Sequence, residues 1–152
     1  MKRRSMLISL ALLTVLLLIP VVSVQAGRPQ DLILDWHKVV PEGSGDPNLY
    51  GDGTLDVNAG RGELCYSMRI YLILFEWPPT GLTLNQAPAG VKGPEVLDLQ
   101  PHFGPLGDAY VSGCLNISKD LAHAIQKNPS EYYVLVTAQD YPDGAARAQL
   151  SK

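Results

Sequence analysis

The chain has 152 residues, of which 46% are hydrophobic, and it carries 12 Lys and Arg against 15 Asp and Glu. This acidic balance argues against a nucleic-acid-binding protein, which needs a basic surface to contact phosphates. The 12 Pro and 14 Gly residues argue against a helical bundle, because both residue types weaken helix interiors.

The first 26 residues have the pattern of a secretory signal peptide. Three basic residues at positions 2–4 precede an uncharged stretch over 5–27, which contains Val-Gln-Ala at 24–26. A basic start, an apolar centre and small residues before the cleavage point are typical of this signal. We expect cleavage after residue 26 and a secreted or extracytoplasmic protein, in the periplasm or at the cell surface. The alternative is an uncleaved membrane anchor, because about 20 apolar residues can span a bilayer.

Residues 27–152 are enough for one domain with its own core and too few for two ordinary ones. Three of the twelve Lys and Arg lie in the first 26 residues, so nine remain against fifteen Asp and Glu, a net charge of −6. Both cysteines, Cys65 and Cys114, lie in this part. Outside the cytoplasm they are expected to form a disulfide. Two reduced, buried cysteines are the alternative.

The first half of this domain contains a predicted hairpin. Polar and apolar residues alternate over 54–57 and 63–70, with the turn formers Asn-Ala-Gly-Arg-Gly at 58–62 between them. In the second strand the alternation places Arg69 on the same face as Cys65. An Asp- and Gly-rich stretch over 48–56 is interpreted as a turn entering the first strand, and a calcium loop is the alternative that lacks two of its ligands.

After this hairpin, the segment Ile70–Pro79 begins with six consecutive apolar or aromatic residues that do not alternate, which indicates a strand buried on both faces. The alternative is an exposed patch for a partner or a membrane surface, in which Tyr71, Phe75 and Trp77 are the candidate contact residues.

The second half of the domain continues this strand-rich pattern. Residues 109–117 alternate again, with Cys114 on the face opposite the apolar residues. A short helix is predicted from the cap Ser118 to Lys127, followed by a strand over 132–137. Pro-Asp-Gly at 142–144 predicts a turn into a last strand. Short strands with Gly/Pro turns predict an all-β fold, an antiparallel Greek-key-like sandwich of seven or eight strands with one short helix.

A series of motifs is similar to successive landmarks of the chordin-type (CHRD) domain family. The order and spacing hold from about residue 37 to residue 150. The resemblance implies a secreted all-β sandwich, usually with a bridge of the Cys65–Cys114 type. The motifs are Gly45-Asp46-Pro47, Gly60–Tyr66, Ala89–Pro94, Ser112-Gly113-Cys114, Asn128–Val134 and Tyr141–Arg147.

The chain departs from this family at three histidine positions. Family members typically carry His-Ile-His before the Ala-Gly-x-x-Gly-Pro stretch and another His after the Tyr-Tyr-Val strand. That pattern could hold a metal ion, as in copper/zinc superoxide dismutase. Here the matching residues are Thr83, Asn85 and Thr137. We therefore expect no metal, no other cofactor and no dismutase-like activity.

Other catalytic patterns are weak. The histidines at 37, 102 and 123 are far apart in sequence and show no ligand spacing, and no local nucleophile motif is present. We expect a secreted, non-enzymatic binding or structural module with an extracellular protein or cell-surface partner. The alternative is a metal-binding protein, or a superoxide-dismutase-like metalloenzyme, whose ligands cannot be aligned with the family.

Overall fold

The computed structural model describes residues 30–37, 45–47, 49–72, 79–101, 103 and 109–152. Eight β-strands, one α-helix and a short 3-10 turn are present in this part of the chain. The strands are β1 (Gln30–His37), β2 (Leu49–Asn58), β3 (Glu63–Leu72), β4 (Pro79–Gln86), β5 (Glu95–Asp98), β6 (Ala109–Asn116), β7 (Tyr132–Ala138) and β8 (Tyr141–Ser151). The helix α1 spans Lys119–Lys127, and the 3-10 turn spans Pro129–Glu131. The predicted signal segment 1–26, Phe75, Trp77 and His102 lie outside the described residues.

All strand pairs are antiparallel, and the hydrogen-bonded order is β5-β4-β7-β8-β1-β2-β3-β6. The sheet divides into two halves of four strands. The β4 half contains β5, β4, β7 and β8, and the β3 half contains β1, β2, β3 and β6. Strand β7 returns beside β4, and β6 beside β3, so successive connections cross between the halves in a Greek-key-like manner. The predicted all-β fold is confirmed.

The two halves pack face to face. The Tyr66 hydroxyl in β3 donates a hydrogen bond to the Leu99 carbonyl, just after β5, at 3.0 Å, although five strands separate β3 from β5 in the hydrogen-bonded order. Only a sheet folded over itself brings these groups together. The side chains that alternate inward from both halves form one apolar core. Its largest fully buried members are Leu32, Leu49, Leu55, Leu64, Met68, Ile70, Leu82, Leu84, Leu99 and Ile125.

The helix forms where the sequence predicts it. The Ser118 hydroxyl accepts a hydrogen bond from the Leu121 amide at 3.1 Å and caps the first turn. Ala122 and Ile125 are buried, so the apolar side of the helix covers one end of the core. No helix in the described part of the chain is long and apolar enough to cross a membrane.

Two local predictions are wrong. The turn expected at 142–144 lies at Gln139–Asp140, and Pro142–Gly144 belong to β8. The pairing of β7 with β8 shifts register there, and Gly144 has φ 142°, which favours glycine. The segment 48–56 is mostly strand, because β2 begins at Leu49. An extended strand likewise does not form the loop that the alternative interpretation, a calcium site, requires.

Candidate partner-binding face

The three positions where the family carries histidine lie on the outer face of the β4 half. Thr83 and Asn85 alternate with the buried Leu82 and Leu84 on β4. Thr137 lies on β7, where it is paired with Gly81 of β4. The Thr83 hydroxyl donates to Asn85 Oδ1 at 2.7 Å. Thr83 and Asn85 therefore meet directly, whereas Thr137 lies two residue pairs further along β4 and β7 from Thr83.

Other contacts engage the side chains at these positions. Asn85 is only 6% exposed, and its Nδ2 donates to the Gly93 carbonyl at 3.4 Å. The Thr137 hydroxyl lies 3.3 Å from that of Thr80. Within the described ranges, no group of three or more His, Cys, Asp or Glu side chains is placed to share a metal ion. His123 is exposed on α1, and His37 ends β1.

The loop after β4, residues 87–94, covers the outer face of β7 and β8 and is held there by Arg147. This side chain is 4% exposed and donates 2.7 Å hydrogen bonds to the carbonyls of Pro88 and Val91. Its guanidinium lies 3.4 Å from the centre of the Tyr133 ring, a cation–π contact. The Ala89–Pro94 motif and the Arg of the last motif therefore form one structural unit.

Gly93 fixes the end of this loop. Its amide donates to the Tyr133 hydroxyl at 3.1 Å, and a Cβ at this position would lie 1.9 Å from the Gln86 carbonyl oxygen. Only glycine permits that approach. Gln149 supports the same unit by donating to the carbonyls of Tyr132 and Ala87. The outer face of the β4 half, which carries the three positions of the family's histidines, is thus partly covered by a loop that several hydrogen bonds hold in place.

The predicted disulfide is confirmed. Cys65 and Cys114 are directly paired between β3 and β6. Cys65 is half-buried and Cys114 is exposed, so the bond lies on the outer face of the β3 half rather than in the core. It closes a sequence separation of 49 residues, and the chain between the two cysteines includes β4 and β5.

The same outer face carries a group of tyrosines, here the tyrosine face. Because side chains alternate along a strand, every second residue of β2, β3 and β6 points outward. Tyr50 is paired with Tyr71, and their rings stack at 4.9 Å with 18° between planes. The tyrosine face consists of Tyr50, Asp52, Thr54, Ser67, Arg69, Tyr71 and Tyr110.

Arg69 lies at the centre of the tyrosine face. Its cross-strand partners are Asp52 on β2 and Tyr110 on β6. A hydrogen bond with the Tyr71 side chain raises the pKa of Arg69, and the electrostatic effects of Tyr71 and Asp52 raise it further. The guanidinium is thus a positive charge with tyrosine side chains and one carboxylate among its neighbours.

A shallow depression of about 480 Å³ lies beside this arginine and is lined by residues of β2, β3 and β6. The Ser67 hydroxyl lies 3.1 Å from the Tyr110 hydroxyl at its edge. Tyr110 is 62% exposed and Tyr50 is 49% exposed. Of the three exposed large hydrophobic side chains among the described residues, these two share one face and Val91 lies on the loop of the other half.

Of the predicted contact residues, Tyr71 lies on the tyrosine face and is half-buried, whereas Phe75 and Trp77 lie outside the described residues. Sequence reasoning missed Tyr50 and Tyr110. The alternation that places Arg69 outward was a usable signal, but the neighbours of Arg69 are set by strand pairing.

The family model described as the CHRD domain matches residues 32–150. No curated protein and no solved structure matches the chain. The matched range includes every described strand apart from the first residues of β1 and the last of β8.

Proposed function

We propose that this chain, which belongs to the CHRD domain family, is an extracellular binding module that recognises a partner through the tyrosine face and catalyses no reaction. The observation that carries the proposal is the exposure of Tyr50 and Tyr110 around Arg69 on a regular sheet. Tyrosine offers a large contact area with few rotatable bonds, and tyrosine and arginine are enriched among the residues that dominate binding energies.

The scaffold under the tyrosine face supports recognition. The cysteine pair lies four residues from the Arg69–Tyr110 pair along β3 and β6, so a covalent bond holds together the two strands that present those side chains. Contact residues on paired strands are held more precisely than contact residues on loops. A partner therefore meets rings whose positions are largely set before binding.

Two observations support an extracellular and non-catalytic role. Disulfides persist in oxidising compartments, and the first 26 residues have the pattern of a secretory signal. At the former histidine positions, Thr83 and Asn85 bond to each other, and Asn85 also bonds to the adjoining loop. A hydroxyl and an amide in these roles stabilise the β4 half, and neither is a usual ligand for copper or zinc.

The test is sedimentation of the purified domain with the insoluble extracellular fraction of the cells that produce it. The domain is expected to sediment, and Tyr110→Ala is expected to stay in the supernatant. Val91→Ala is the matched control, because Val91 is also an exposed apolar side chain but lies on the other half. Circular dichroism checks that both variants fold.

Equal sedimentation of the wild-type domain and Tyr110→Ala would refute the assignment of binding to the tyrosine face. A multiple-turnover reaction catalysed by the purified domain would refute the non-catalytic role.

A further inference from the structure

We infer that the partner recognised by the tyrosine face is a neutral glycan, an inference that rests on the proposed function. The first argument is charge. Asp52 and Arg69 are paired across β2 and β3, so the face carries one negative and one positive charge and has no net charge, and its remaining members are hydroxyl-bearing. The Asp52 carboxylate would repel a polyanion, and the Arg69 guanidinium would repel a polycation. An uncharged ligand is repelled by neither group.

The second argument is the pattern of hydrogen-bonding groups. The depression is lined by the hydroxyls of Thr54, Ser67 and Tyr110 together with the Asp52 carboxylate and the Arg69 guanidinium. Donors and acceptors thus alternate within a small area. Sugar hydroxyls both donate and accept hydrogen bonds, so consecutive hydroxyls of a pyranose can bond to the donors and the acceptors that line this depression. Neighbouring strands, about 4.8 Å apart, place these groups at a spacing comparable with the width of one sugar ring.

The third argument is the aromatic rings. A pyranose has a C–H face that packs on an aromatic ring while its hydroxyls project sideways, and tyrosine adds a hydroxyl at the ring's edge. Tyr110 lies on one side of Arg69, and the Tyr50–Tyr71 stack occupies the next outward-facing residue pair along β2 and β3. The volume of about 480 Å³ falls within the range of small-ligand sites, and its open shape leaves room for a chain to extend beyond it.

A protein partner fits these features less well. The core of a protein–protein interface is depleted of charged residues and is the most apolar part of the contact. Here the centre of the face is Arg69 beside Asp52, with Ser67 as the next outward residue of β3. The described part of the face presents no exposed Leu, Ile, Val, Met or Phe side chain.

The experiment treats the insoluble fraction before sedimentation, in one arm with periodate, which cleaves the vicinal diols of sugars, and in another with proteinase K. We expect periodate to abolish sedimentation and proteinase K to leave it unchanged. Binding is expected to persist in 0.5 M NaCl, because screening weakens charged contacts and leaves neutral ones. Sedimentation that resists periodate but is lost after proteinase K overturns the glycan assignment and leaves the proposed function standing. Loss of sedimentation in high salt overturns the neutral character of the ligand.

Soluble probes extend the test. Cellohexaose and maltohexaose, whose sugar residues carry the vicinal diols that periodate cleaves, are neutral competitors, and polygalacturonate is the charged one. At least one neutral hexasaccharide is expected to compete and to bind directly in calorimetry. Tyr110→Ala is expected to weaken that binding about tenfold or more, the loss typical of removing an aromatic contact residue, and Val91→Ala is expected to have no effect. Competition by polygalacturonate alone contradicts the inference, whereas absence of any Tyr110-dependent sedimentation defeats the proposed function itself.

Discussion

Replacing Arg147 with alanine is expected to destabilise the domain by about 3 kcal/mol. Arg147 donates to the carbonyls of Pro88 and Val91 and stacks on Tyr133. The two bonds contribute about 1 kcal/mol each, since the loop carbonyls regain water, and a desolvated cation–π contact adds about 2 kcal/mol. The side-chain entropy released offsets about 1 kcal/mol.

Urea denaturation followed by circular dichroism measures this loss, and thermal melting should show a Tm lower by about 10 °C. Amide hydrogen exchange adds a local readout, because the Gly93 amide donates to Tyr133 and should exchange faster once the loop is released. Arg147→Lys keeps the charge but lacks the planar fork that bridges two carbonyls, so it should recover about half of the stability.

Arg61→Ala is the matched control for Arg147→Ala. The Arg61 side chain is 78% exposed and its ion pair with Glu63 is long, at 3.9 Å, so its removal should cost less than about 0.5 kcal/mol. A loss below about 1 kcal/mol for Arg147→Ala, or an equal loss for both variants, would refute the account of the clamped loop.

Three further predictions concern the disulfide, metal content and pH. Replacing both Cys65 and Cys114 with alanine should lower the free energy of unfolding by a few kcal/mol, because the loop-entropy model gives about 4 kcal/mol for a loop of this length; an unchanged non-reducing melt would contradict it. Elemental analysis of the dialysed protein should find no stoichiometric copper or zinc, and one retained equivalent would favour a metal-binding function. Burial raises the pKa of Tyr66, and Asp98 raises it further; burial likewise raises the pKa of Tyr132, and Glu131 adds to it. The resulting stability is fully present below about pH 10 and falls above it, because the unfolded chain loses these protons first. Urea midpoints between about pH 8 and pH 11 should show this fall, smaller in Tyr66→Phe; a rise in stability with pH would contradict it.

The parts of the fold that local chemistry determines were predictable from sequence. The β2–β3 turn is stabilised by a contact between its own residues, because Asn58 Oδ1 accepts a hydrogen bond from the Arg61 amide. The helix is capped by its own flanking residue. Strand β5 could not be predicted, because four residues with half-buried Val96 and Leu97 show no clear period. The misplaced turn at 142–144 has the local chemistry of a turn, but pairing with β7 places those residues in an irregular strand.

The candidate site was predictable only in part, for the same reason. Alternation indicates that Arg69 points outward while its neighbours Met68 and Ile70 pack in the core, but it does not say which side chains lie beside Arg69. Tyr110 reaches Ser67 across 43 residues of sequence, through the pairing of β3 with β6. Arg147 reaches the loop over separations of 56 and 59 residues. Such neighbours are set by topology, and no single sequence window contains them.

The pairing of β1 with β8 places the first and the last described strand side by side. Gln30 is paired with Val57, beside the β2–β3 turn, and Ser151 is paired with Ile33, three residues further along β1. Tyr50 lies seven residues back along β2 from Val57, about 23 Å away at the usual rise per residue. A tether attached at Gln30 would therefore leave the stacked rings at the opposite end of β2, where they can contact material beyond the surface that holds the protein.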